Sequence, residues 1–97
     1  MSFRIVTTPW AEETYVLLAD QLRQRWGDSF VIKFEAKIEK CLKSILISPY
    51  LYPIAEENME LRKCLLHKNC SMLYKVDADV ILIVCFWDNR QDPIIKM

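Results

Sequence analysis

The run VILIVCF, Val80–Phe86, constrains this chain more than any other stretch of it. Seven apolar residues stand together, most of them β-branched or aromatic. That is short for a globular helix and has the composition of a strand. In an antiparallel sheet with helices on one face only, a strand alternates apolar with polar residues. This one does not, so its second face also needs cover. Loop residues 50–54, the tail Pro93-Ile94-Ile95, a second copy of the chain, or a partner's helix or strand are the candidates.

The surrounding residues set the run in a three-strand meander. Asp77-Ala78-Asp79 precedes it as a turn, because Asp side chains bond their own backbone and favour tight reversals. Before that turn Cys70–Val76 alternates, with Cys70, Met72, Tyr74 and Val76 on one face and Ser71, Leu73 and Lys75 on the other. A first strand, Leu61–Leu66, connects through His67-Lys68-Asn69, short enough for an antiparallel hairpin.

The N-terminal half reads as an edge strand and two helices. Phe3–Val6 is a short apolar run stopped by Thr7-Thr8-Pro9. Thr8 is placed to cap a helix whose first residue is Pro9. Ala11, Tyr15, Leu18, Leu22 and Trp26 recur at helical spacing, and Gly27 suits the left-handed stop. Asp28 or Ser29 can cap a second helix striped by Val31, Phe34, Ile38, Cys41 or Leu42, and Ile45. Ser48-Pro49 ends it, and a loop runs on to Met59. The expected fold is therefore α+β: an N-terminal edge strand, an αα-hairpin, then a three-stranded antiparallel meander with the helices on one face.

Length and composition bound what such a domain can do. Ninety-seven residues make one domain, 1–97. A hydrophobic fraction of 53% is high for so small a monomer, which hints that some apolar surface meets another chain. Lys plus Arg equal Asp plus Glu at 13 each, so there is no general pull toward nucleic acid or anionic lipid. No segment approaches a membrane span, and no secretion signal is seen, so the expected place is the cytoplasm. The four cysteines lack C-x-x-C spacing, so free thiols are expected rather than a metal site. With one Gly in the chain, phosphate-cradling loops are excluded, and no cofactor is expected.

Two sets of side chains could act on something. Arg62, Lys63, His67 and Lys68 lie around the first hairpin, with Arg90 just past the last strand. Together they would make a local basic surface for phosphate contact or proton transfer on RNA. Equally, Lys and Arg blunt a sheet edge against aggregation, and a lone His is commonly a hairpin residue. Val80, Leu82, Val84, Phe86, Trp87 and Arg90 form the second set, a seam for a partner polypeptide. Trp10, Tyr15, Trp26, Phe30 and Phe34 are most simply core, whereas Trp87 beside Asp88-Asn89-Arg90 is available to a partner.

Nearly the whole chain resembles the RelE/ParE superfamily of bacterial toxins from type II toxin–antitoxin pairs, also called plasmid stabilisation proteins. The resemblance runs from the helix ending in R-W-G and the second helix with Phe34 and Ile38 to the Ser48-Pro49…Pro53 loop. It continues through Arg62-Lys63, L-Y-K-V at Leu73–Val76 and F-W-D-N-R-Q-D-P at Phe86–Pro93. It implies a growth-inhibiting toxin neutralised by a cognate antitoxin, alone or in a homodimer or hetero-oligomer. RelE-like members cut mRNA on the ribosome, and Arg62, Lys63, His67 and Arg90 would then be the catalytic set. ParE-like members poison DNA gyrase by binding it. The middle strand here has Ser71 and Met72 where the RNase branch places an Arg, and no Tyr or His follows Arg90. The ParE-like reading is therefore the first expectation, the mRNA endonuclease the second, and a non-toxic interaction module the third.

Overall fold

A computed structural model describes residues 2–56 and 58–88. In chain order the elements are β1 (Arg4–Thr7), α1 (Pro9–Trp26), α2 (Asp28–Ile47), β2 (Arg62–His67), β3 (Cys70–Asp77) and β4 (Val80–Asp88). The architecture is the α+β arrangement expected. One sheet has the order β1-β4-β3-β2, and β4 sits between β1 and β3. β1 pairs with β4 in parallel, Arg4 opposite Val80 and Thr7 opposite Ile83. A parallel neighbour needs a long crossover, and the αα-hairpin with the rest of the sheet supplies it.

Both helices lie on one face. Leu18 and Leu22 of α1, and Val31, Phe34 and Ile45 of α2, form the main core with Cys64, Met72, Tyr74, Ile81, Ile83 and Phe86 of the sheet. Burying a side chain of this size contributes about 1.5–3 kcal/mol, so this layer carries most of the stability. The faces of β3 divide as its alternation predicts, with Met72 and Tyr74 toward the helices and Leu73 away from them.

The absence of alternation in β4 has a specific cause. Leu73 opposes Cys85 and Tyr74 opposes Ile83, so Val84 is an extra residue, a β-bulge. Before the bulge Ile81 and Ile83 point to the helices and Leu82 and Val84 point away. After it Cys85 also points away, and Phe86 returns to the helix side. The second face is covered by a small cluster of Ala55, Leu61, Leu73, Val84 and Cys85, with Trp10, Leu82 and Trp87 packed against it. Residues 50–54 do not provide this cover: Tyr50, Leu51 and Ile54 are exposed, and Tyr52 packs on the helix side.

α1 holds the bulge in place. Its cap is the expected one: Thr8 Oγ1 accepts from the Ala11 N–H at 2.9 Å, with Pro9 at the first position. The same hydroxyl donates to the Val84 carbonyl at 2.6 Å. The Phe86 N–H donates to Thr14 Oγ1 at 2.9 Å. β1 stops at Thr7, so helix hydroxyls take over where the strand leaves β4 unpaired.

Four expectations need correction. Gly27 has φ 87° and ψ 176°, not a left-handed helical stop, and it ends α1 and begins α2 by itself. Neither Asp28 nor Ser29 caps α2, which has no side-chain cap bond. Trp26, assigned to the core by its spacing, is 46% exposed and packs against Phe30 and His67 at the margin of the core. Finally, Cys41 of α2 and Cys64 of β2 are joined as a disulfide, their Cα atoms 7.1 Å apart. Cys70 and Cys85, both buried, are the cysteines outside that bond.

Candidate functional site

The basic residues of the first hairpin do not converge. Arg62 and His67 open and close β2, roughly 16 Å apart at the strand rise of 3.3 Å per residue. The Arg62 guanidinium donates to the Tyr52 carbonyl at 2.7 Å and lies 4.9 Å from the centre of the Tyr50 ring. It clamps the loop after α2 onto the sheet. Lys63 is half-buried, pairs with Leu73 in the ladder, and gives its N–H to the Pro53 carbonyl at 3.0 Å. Lys68 stands exposed in the turn, and Arg90 lies outside the described residues.

His67 is held between the two helices. A bulge between Leu65 and His67 turns its ring to the helix side of the sheet. There it meets Trp26 at 5.8 Å and Phe30 edge-on at 5.2 Å, ring centre to ring centre. On the middle strand Ser71 and Met72 are completely buried. Among the described residues no acid, base and cation meet at one point where a reacting phosphate could sit.

The partner set divides by burial. Val80, Leu82 and Trp87 are half-buried, whereas Val84 is 2% exposed. Phe86 packs under α1 with its ring 5.7 Å from Tyr15, so it is a core residue and not part of an open face. The open feature lies instead along the edge of β4. Beyond Ile83 this edge has no strand beside it among the described residues. A cavity of about 270 Å³ runs between it and α1, lined by Trp10, Thr14, Leu17, Phe86, Trp87 and Asp88 among others. Val16 and Leu17 continue its apolar character onto the outside of α1, both more than half exposed. The sequence carried a signal for this. Tyr15-Val16-Leu17-Leu18 holds more apolar residues than one helical stripe needs.

Burial shifts three groups away from their ordinary ionisation. The Tyr15 hydroxyl is pushed up to about 12, first by burial and then by its hydrogen bond to the Glu35 carboxylate. Tyr74 is raised mainly by burial, and its hydroxyl donates to the Pro49 carbonyl at 2.8 Å. Burial alone takes the Cys85 thiol to about 12, so it is not a nucleophile near neutral pH. No group of three or more His, Cys, Asp or Glu among the described residues could hold a metal ion. No helix among them is long and apolar enough to cross a membrane.

No family model and no curated protein sequence matches the chain. Solved structures do. The chromosomal ParDE system from P. aeruginosa aligns with TM-score 0.72 at 16% identity, over 89% of this chain and 95% of that one. The YoeB dimer from Staphylococcus aureus aligns with TM-score 0.63 at 23% identity, over 88% and 94%. The toxin of the E. coli DinJ–YafQ toxin–antitoxin complex gives TM-score 0.63 at 9% identity, over 93% and 96%. The chain shares the RelE/ParE-like α+β fold of these solved structures.

Proposed function

We propose that the chain is the toxin of a type II toxin–antitoxin pair, restrained by a cognate antitoxin, and that the released toxin acts by binding DNA gyrase. The observation that carries the choice of target is the dispersal of the basic residues. Arg62 is occupied by loop carbonyls, His67 stands at the far end of β2, and the middle strand offers buried Ser71 and Met72. A binding toxin needs a surface and no such centre. The fold likeness extends to ParDE, YoeB and YafQ alike and does not choose the target.

The antitoxin's seat in this reading is the edge of β4 and the groove beside α1. An extended segment can add along the β4 edge beyond Ile83, where no described strand lies, by displacing the Thr8 and Thr14 hydroxyls from the Val84 carbonyl and the Phe86 N–H, and apolar side chains can enter between Trp10, Leu17 and Trp87. Val80, Leu82 and Trp87 remain reachable in the seam, Val84 and Phe86 support it from below, and Arg90 follows it in sequence.

The test is gyrase supercoiling with the purified chain. Inhibition or trapped cleavage complexes at micromolar protein, relieved by the antitoxin, is the expected result. Unaltered supercoiling together with new mRNA ends in a translating extract, lost in Arg90→Ala, overturns it in favour of the endonuclease reading. Loss of a charge-stabilising group of that kind costs on the order of a hundredfold.

A further inference from the structure

On the helix side, next to the β4 groove with which it shares Leu18 and Gln21, the junction of α1, α2 and the β2–β3 turn forms a second recess. One cavity of about 320 Å³ lies between α1 and the turn, lined by Gln21, Gln24, Arg25, Trp26, His67 and Asn69 among others. A second, of about 190 Å³, lies between α2 and the end of β2, lined by Phe30, Lys33, Phe34, Lys37, Leu66 and His67. His67 lines both, so they form one trough divided by an aromatic cluster. Trp26 and Phe30 lie 4.9 Å apart, and His67 closes the group.

The charge along this trough is of one sign. Arg25, Lys33, Lys37 and Lys68 are exposed around it, and neither cavity is lined by an Asp or Glu among the described residues. The nearby acids Asp20 and Asp28 are both engaged by Arg23. Lys33 and Lys37 stand one helical turn apart, a like-charge spacing that disfavours a helix. Neither makes an ion pair among the described residues. The Arg25 guanidinium sits 5.3 Å from the centre of the Trp26 ring, so a cation and an aromatic face meet at one place. Three side-chain amides, Gln21, Gln24 and Asn69, stand beside them with donors and acceptors for a base edge. Aromatic rings interleaved with cations are what a nucleotide requires, with stacking for the base and charge for the phosphate.

We propose that this trough binds nucleotides, with a base against the Trp26–His67 cluster and phosphates at Lys33 and Lys37. The roughly 6 Å between residues one helical turn apart allows the two lysines to hold successive phosphates of a single strand. A free nucleotide presents the same chemistry. The inference does not depend on the toxin reading, because Trp26, His67, Lys33 and Lys37 do not line the β4 groove.

The test is fluorescence anisotropy with a labelled single-stranded hexanucleotide, repeated with a nucleoside monophosphate as competitor. Binding at micromolar concentration is expected. In Lys33→Glu/Lys37→Glu the log–log salt dependence should become shallower by about 1.4, two single-strand phosphate contacts at about 0.7 each. Trp26→Ala should weaken binding about tenfold while Trp26→Phe retains most of it, since any aromatic ring stacks. Because Trp26, Lys33 and Lys37 are exposed, these variants keep the fold, and thermal unfolding of each verifies that. A monophosphate that competes as well as the hexamer identifies a free nucleotide as the ligand; one at least tenfold weaker identifies a strand. The proposal is overturned if the hexamer does not bind at millimolar concentration, if the variants leave binding unchanged, or if polyglutamate binds equally well.

Discussion

Thr8 performs two tasks with one hydroxyl, and replacing it measures how firmly α1 holds the bulge of β4. In Thr8→Val the shape is kept and the oxygen removed. The Ala11 N–H loses its cap, worth about 1 kcal/mol, and the Val84 carbonyl loses its donor, worth about another 1 kcal/mol. Together the loss is about 2 kcal/mol, or a fall in Tm of about 10 °C for a domain of this length. Thr8→Ser keeps both bonds and should stay within about 0.5 kcal/mol of the parent. Thr8→Asp separates the two, because an ionised carboxylate caps a helix but cannot donate to Val84. It should fall between Ser and Val, or below Val if the carboxylate repels the carbonyl. Urea unfolding of the four proteins, at constant m-value, is the assay. A Val variant as stable as the parent, or an Asp variant as stable as Ser, would refute the argument that this hydroxyl links helix and bulge.

Other consequences concern the turn, the ionisable groups and the thiols. Gly27→Ala should destabilise by about 2 kcal/mol, since φ 87° with ψ 176° is essentially glycine's alone, although an added Cβ would meet nothing within 4 Å; denaturant midpoints measure it. Tyr15 ionises near 10.0 when unfolded and near 12 when folded. Stability from that group is complete below about 10 and declines as pH rises toward about 12, because the unfolded state gains by losing the proton first. Unfolding midpoints across that interval should fall less steeply in Tyr15→Phe. Alkylation of the denatured chain without reductant should mark Cys70 and Cys85 only, and all four cysteines after reduction, read by intact mass. Four marks without reductant would exclude the Cys41–Cys64 bond.

Much of the fold was legible because its signals are local. Thr8-Pro9 announces a helix start by the chemistry of its own atoms, and Cys70–Val76 shows its two faces by plain alternation. The β4 run shows in sequence as a strand with two covered faces, but how they are covered does not. The bulge at Val84 shifts the phase midway, so apolar side chains fall on both sides without a visible period. The covering cluster draws on Trp10, Ala55 and Leu61, which sequence distance separates from the strand.

The site was legible only as a list of residue types. Spacing placed Arg62 and His67 near one another in the chain, and an extended strand carries them to opposite ends. Arg62's attachment to the Tyr50 and Tyr52 segment depends on a loop whose path no periodicity encodes. The half-exposed seat of Trp26 against Phe30 and His67 depends on tertiary neighbours, which a helical stripe does not report.

The central claim, that this chain is a toxin, is tested most directly by inducing it alone in a bacterial host. Growth should stop while the protein accumulates in soluble form, and should resume when a cognate antitoxin is co-expressed. A culture that divides at its normal rate with abundant soluble protein contradicts the claim and leaves an interaction module in its place.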